Sequence, residues 1–243
     1  MLFHYHQRNV NNLIPKLKIN STAIDRVKTF NFLGITVDEN MSWNAHRHKV
    51  ACKIAKVVGT MKRLKHFLPA FILKMLYTSL ILPHLTYGII LWGKKLERIN
   101  KLQKWAIRTI TCAKYNAHTD PLFKRLKLLK VHDLQRLAAV KIFHKYKNNT
   151  LPKYFDNIFD NHIPNHSYDT RHRQRRRTKP NSITASQSPK YTIPSIVDTL
   201  PEHINTKYEN HSIQCISNLA KTDMISVYNE TCLNTNCYVC NSD

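Results

Sequence analysis

The chain has 243 residues, enough for one large or two small domains with a buried core. Its 42% hydrophobic content argues against a wholly disordered chain, while 38 Lys+Arg against 15 Asp+Glu leave a net charge of +23, far beyond what solubility requires. Such a surplus points to a polyanionic partner, nucleic acid first, because neutralising phosphates releases counterions; the bland alternative is a merely soluble basic protein.

The opening MLFHYHQRNV has neither the apolar core nor the small-residue cleavage site of a secretory signal. Residues 17–38 carry short apolar runs around Asn20, Ser21 and Thr22, which predicts a small antiparallel hairpin. Phe30, Phe32, Ile35 and Val37 are bulky strand formers around Gly34, which reads as a bulge or a close backbone approach. Asp38, Glu39 and Asn40 break the strand, and Ser42 and Asn44 are both candidate N-caps for the helix that follows.

From residue 45 to 68 the apolar positions Val50, Ile54, Val57, Met61, Leu64 and Leu68 recur at alternating spacings of four and three, one buried stripe of a helix. Lys49, Lys53, Lys56 and Arg63 repeat at the same period on the adjoining face. No acidic residue lies between Met41 and Lys95 to partner them, which favours phosphate contact over an ordinary solvated face. Pro69 starts the next helix, where Phe71, Leu73, Met75, Leu76, Leu80 and Ile81 predict a segment apolar all round, at the centre of a bundle. Pro83 is expected to end or kink it. Residues 75–92 carry no charge and approach the length of a membrane span, but Pro83, His84, Thr86 and Gly88 interrupt them; two buried helical pieces explain the stretch better.

A further helix is predicted over residues 95–111, with Leu96, Ile99, Leu102, Ala106 and Ile110 on one side and Lys95, Arg98, Lys101, Lys104 and Arg108 on the other. Thr119 or Asp120 caps a short helix bearing Leu122, Phe123 and Leu126, and another runs over 133–147 with Leu134, Leu137, Ala138 and Ile142 inward. The fold class expected is therefore mostly α: a small N-terminal β-hairpin (residues 1–42), a basic helical bundle (43–148), a basic linker (149–190) and a weakly structured C-terminal segment (191–243). The linker holds RHRQRRRTK, a solvated charge run or a nucleic-acid or nuclear-import segment. In the last segment Ile213, Ile216, Leu219 and Val227 hint at one weak helix.

Several motifs resemble one family. FNFLGITVDENMSWNAH at 30–46, PHLTYG at 83–88 with Trp92, LQKWAIRTI at 102–110, HTDPLFKRLKLL at 118–129, HSYDTR at 166–171 and LPEHI at 200–204 resemble the reverse transcriptases of jockey-like non-LTR retrotransposons (LINE elements), from the palm's end through the thumb. The likeness spans roughly residues 13–225. It implies that Phe32, Leu33 and Gly34 match the primer-grip region and that the helix after Trp43 resembles the thumb helix tracking a template–primer duplex of RNA and DNA. Trp43, Lys49, Lys53, Lys56, Arg63, Arg98, Lys101 and Arg108 are the expected contacts, without sequence preference.

The family enzyme uses Mg2+ held by paired aspartates on a tight strand turn. The chain has no Asp-Asp pair, and Asp156 with Asp160 is a weak substitute. The resemblance places the fingers and most of the palm before residue 1, so the chain alone is expected to synthesise no DNA and to hold no cofactor. A non-enzymatic basic helical binding or scaffold protein derived from such an element is the competing reading; a membrane partner is not expected, for want of an interfacial aromatic row. The six cysteines are expected to be reduced. Cys232, Cys237 and Cys240 have the spacing of half a zinc knuckle, which Cys215 or His211 would complete.

Overall fold

A computed structural model describes Phe3, residues 18–155, Ser186, residues 188–200 and residues 212–229. Two small antiparallel ribbons precede a helical body. In the first, β1 (Lys18–Ile19) pairs with β2 (Thr22–Ala23). Asn20 and Ser21 both sit at positive φ, the left-handed pair that matches the twist of a two-residue hairpin.

Residues 30–37, expected as a strand with a bulge or a close backbone approach at Gly34, form a second ribbon instead. Here β3 (Thr29–Phe32) turns back on β4 (Ile35–Asp38), with Phe32 opposite Ile35. Leu33 (φ 47°) and Gly34 (φ 80°) form the turn, so Gly34 supplies a left-handed conformation at a hairpin tip.

Asp38 closes this ribbon and starts the next element. Its carboxylate accepts from the backbone N–H groups of Ser42 (3.0 Å) and Trp43 (2.9 Å), which poises α1 (Asn44–Leu64) at the ribbon's end. The N-cap position belongs to neither expected residue: Trp43 occupies it at φ 62°, and its side chain makes no cap bond. On α1 the buried face comprises Val50, Ala51, Ile54, Val58 and Met61, with Val57 and Leu64 at its margin, so the stripe is turned slightly from the one predicted.

Beyond Pro69 the chain stays helical through Pro83. α2 (Ala70–Leu76) runs into a π-helical turn (Tyr77–Ile81) and then α3 (Leu82–Thr86). The Leu82 N–H reaches back five residues to the Tyr77 carbonyl; this widened turn makes room for a proline ring that has no N–H to give. The segment is not apolar all round in its setting: Leu73, Tyr77, Ile81 and Leu85 are fully buried, whereas Phe71 is 66% exposed and Met75 and Leu80 also face out.

α4 (Ile89–Trp92) leads to α5 (Glu97–Ile110), which packs along α1. α6 (Asp120–Leu126) and α7 (Val131–Lys147) follow, Thr119 standing before α6 with no side-chain cap bond. α7 turns Val131, Leu134, Ala139, Val140 and Phe143 inward, leaving the expected Leu137, Ala138 and Ile142 half-buried. The core does not stop at residue 148. α8 (Pro189–Asp198) and α9 (Ile213–Ser226) both lie on α7, adding Ile193, Val197, Ile216, Ala220 and Met224 to the cluster around Trp92, Tyr77 and Phe123. Val227, expected in the last apolar stripe, is exposed. The run RHRQRRRTK and Asp156 and Asp160 lie outside the described residues. No described helix is long and apolar enough to cross a membrane.

Candidate nucleic-acid interface

The PHLTYG motif and Trp92 hold the second ribbon against the bundle. The Tyr87 hydroxyl donates to the Leu33 carbonyl (2.5 Å), and the Tyr87 carbonyl accepts from Trp92 Nε1 (2.8 Å). Gly88, at φ 61°, lets Ile35 seat where a Cβ would lie 2.6 Å from its Cδ1. Arg47 braces the other side, donating to the carbonyls of Lys94 (2.9 Å) and Ser42 (3.0 Å).

These contacts frame a cleft of about 320 Å³ between the hairpin tip, α1 and α3, lined by Gly34, His46, Lys49, Val50, Lys53, Pro83, His84 and Tyr87. None of its lining residues is a carboxylate. Lys49 reaches the Asn31 side chain at 3.2 Å, while Lys53 stands exposed on the next turn. The His46 Nδ1 accepts from the Thr36 N–H at 3.1 Å, which leaves Nε2 to carry the proton of a neutral ring. Burial first, then Lys49 and Lys53, lowers the His46 pKa. Burial and Lys53 do the same at His84. The cleft thus has two fixed cations and two histidines held neutral at pH 7, an arrangement suited to an anion with proton acceptors of its own.

Lys56 and Arg63 extend the line of cations from this cleft along α1, both exposed. From Lys49 to Arg63 the stripe rises about 21 Å at 1.5 Å per residue. Phe32 and Leu33 project at the hairpin tip, also exposed.

The remaining expected contacts are distributed differently. Trp43 is 7% exposed and belongs to the core, so it is no ligand-facing ring. Arg108 is half-buried and donates from Nε to the Ala117 carbonyl at 2.9 Å, tying down the loop after α5. Arg98 and Lys101 are exposed on the outer face of α5. That face adjoins Lys62, whose Nζ stands 5.8 Å from the Trp105 ring centroid. Lys62 lies about 100–180° round α1 from Lys49, Lys53, Lys56 and Arg63 at 100° per residue. Cations that the sequence reading pooled therefore form two faces. Cys215 is exposed at the start of α9; Cys232, Cys237, Cys240 and His211 lie outside the described residues. Among the described residues no three His, Cys, Asp or Glu side chains converge.

Two positions of structural weight carried a weak sequence signal. Gln103, inside LQKWAIRTI, is fully buried and saturated: Nε2 donates to the Tyr77 hydroxyl (2.8 Å) and the Leu129 carbonyl (2.9 Å), and Oε1 accepts from the Val131 N–H (2.8 Å). The signal available was its place on the apolar side of the α5 wheel, between Ile99 and Ala106. His46 likewise falls one turn before Val50. Compared with models of known families, with curated proteins and with solved structures, the chain shows no match to any of them.

Proposed function

We propose that this chain is the thumb-side part of a non-LTR reverse transcriptase and that it holds a template–primer duplex along α1, without sequence preference and without supplying the catalytic aspartates. The observation that carries this reading is the row Lys49, Lys53, Lys56 and Arg63, solvent-exposed and continuous with a carboxylate-free cleft at a hairpin tip. Point charges spaced along one flank of a helix meet phosphates and read no base edges. In this reading Gly34 brings the ribbon backbone close to the duplex end, and Mg2+ chemistry belongs to the palm of the full-length enzyme.

The test is a salt titration of the full chain on a fluorescent RNA–DNA hybrid. Neutralising ~4 to 6 phosphates gives a log–log slope of about −4 to −5. Replacing Lys49, Lys53, Lys56 and Arg63 together by Ala reduces the slope's magnitude by about 3 to 4. An unchanged slope and affinity in that variant overturn the assignment.

A further inference from the structure

Three features outside the α1 stripe stand out: the exposed Phe67 in the turn before α2 with Phe71 and Met75 on α2, the Tyr228 hydroxyl bonded to the Asp133 carboxylate of α7, and the outer face of α5. The last goes furthest. Along α5, Arg98, Lys101 and Trp105 follow one another at three and four residues and are exposed on one face. Trp105 is 41% exposed, in contrast to Trp43 and Trp92, which are buried. Its ring meets Tyr115, 77% exposed in the loop after α5, edge to face at 6.3 Å and 69°. The Lys62 ammonium adds a cation over the Trp105 ring from the neighbouring helix. Glu97, in the first turn, is the only carboxylate of α5.

We propose that this aromatic and cationic face is a second nucleic-acid contact, which takes unpaired bases by stacking on Tyr115 and Trp105 while Lys62, Arg98 and Lys101 neutralise the flanking phosphates. An aromatic ring stacks on a base whose face is open; a duplex offers only edges and phosphates because its bases already stack on one another. Charge favours the same partner, since Lys62 stands over the Trp105 ring and Arg98 and Lys101 share its helix face. A lipid surface is less suited, because the exposed positions that precede Trp105 on this face, Arg98 and Lys101, carry guanidinium and ammonium groups where interfacial insertion requires aliphatic ones. Lys62 is turned about 100–180° round α1 from the residues of the stripe, so a duplex held by the stripe leaves this face free for a single-stranded continuation.

The experiment uses the full chain with (dT)12, a 12-base-pair duplex, heparin and vesicles of phosphatidylcholine with phosphatidylserine. With Trp43 and Trp92 buried, quenching of tryptophan emission by (dT)12 reports Trp105, and Trp105→Phe abolishes the signal. Tyr115→Leu, at a position exposed enough to spare the fold, weakens (dT)12 binding about tenfold, the worth of one lost stacking contact, and leaves duplex affinity unchanged. Tyr115→Phe keeps it. A (dT)12 affinity unchanged from the parent chain in Tyr115→Leu and in Trp105→Leu, both verified as folded by circular dichroism, overturns the proposal. So does quenching by heparin or by the vesicles as strong as that by (dT)12. The α1 quadruple variant separates the two readings: its duplex affinity tests the stripe, and the Tyr115→Leu effect on (dT)12 tests this face.

Discussion

At the residue scale, two buried polar groups show how the bundle is keyed. Gln103 uses its amide to join the π turn, the loop before α7 and the first N–H of α7, with every bond between 2.8 and 2.9 Å. Gln103→Leu keeps the volume but strands the Tyr77 hydroxyl, the Leu129 carbonyl and the Val131 N–H; it lowers stability by about 3 kcal/mol or more, measured by urea unfolding. Tyr77 itself gives a pH signature. Burial pushes its hydroxyl up to about 12, against an ordinary value of 10.0. A group whose pKa is raised on folding stabilises fully below its unfolded pKa and loses that contribution as pH climbs to the folded one. The urea midpoint therefore falls between pH 10 and 12, and it falls less steeply in Tyr77→Phe. Tyr228 is raised in the same direction, by burial and by its bond to the Asp133 carboxylate. Periodicity gives only a weak signal for Gln103 and Tyr77, because it counts a tyrosine or glutamine as neither reliably apolar nor reliably exposed.

At the scale of elements, the helices were legible because their apolar residues recur at three and four. The structure returns α1, α5, α6 and α7 near their expected bounds, and a helix at 213–226 where a weak one was expected. What periodicity could not show is how closely two backbones approach. Gly93 stands where a Cβ would lie 2.3 Å from the Ile89 carbonyl oxygen and 2.7 Å from Gln135 Cδ, so α4 and α7 meet there without a side chain between them. Gly59, in the middle of α1, has nothing within 4 Å. The two glycines respond oppositely to the same change: Gly93→Ala destabilises by about 2 kcal/mol or more through overpacking, whereas Gly59→Ala raises stability by about 1 kcal/mol through helix propensity. Thermal unfolding of the pair checks both signs. The π turn before Pro83 was illegible for a related reason. A proline signals a break, and only the packing of Tyr77, Ile81 and Leu85 into the core holds the helix together across it.

At the scale of the whole molecule, the cleft couples the ribbon, α1 and α3 to solution pH. His46 and His84 have lowered pKa values, by burial first and then by Lys49 and Lys53 at His46 and by Lys53 at His84. For the fold alone the sign is fixed: the contribution is present above the ordinary value of 6.5 and is lost as pH falls through the depressed one. A bound polyanion reverses the electrostatic part, since its phosphates offset the two lysines and favour imidazolium. Hybrid binding therefore takes up protons, and affinity rises a few-fold from about pH 7.5 to about pH 6 at constant salt. His84→Gln flattens that rise, as fluorescence anisotropy at the two pH values tests; an affinity independent of pH contradicts the placement of phosphates in the cleft.

The sequence by itself determined the mostly helical class, a turn beginning at Asn20, the periods of the long helices and the cationic row on α1. Each of these depends on neighbours within one or two turns, where spacing alone places side chains on a face. Only the tertiary structure decided which faces are covered. It buried Trp43, left Phe71 and Met75 in solvent, carried the core past residue 148 onto α8 and α9, and turned Arg108 inward. It also separated the cations of α1 from those of α5. A helical period reports the angle of a residue about its own axis; what stands opposite that angle is set by the chain's distant parts, and no local spacing encodes it.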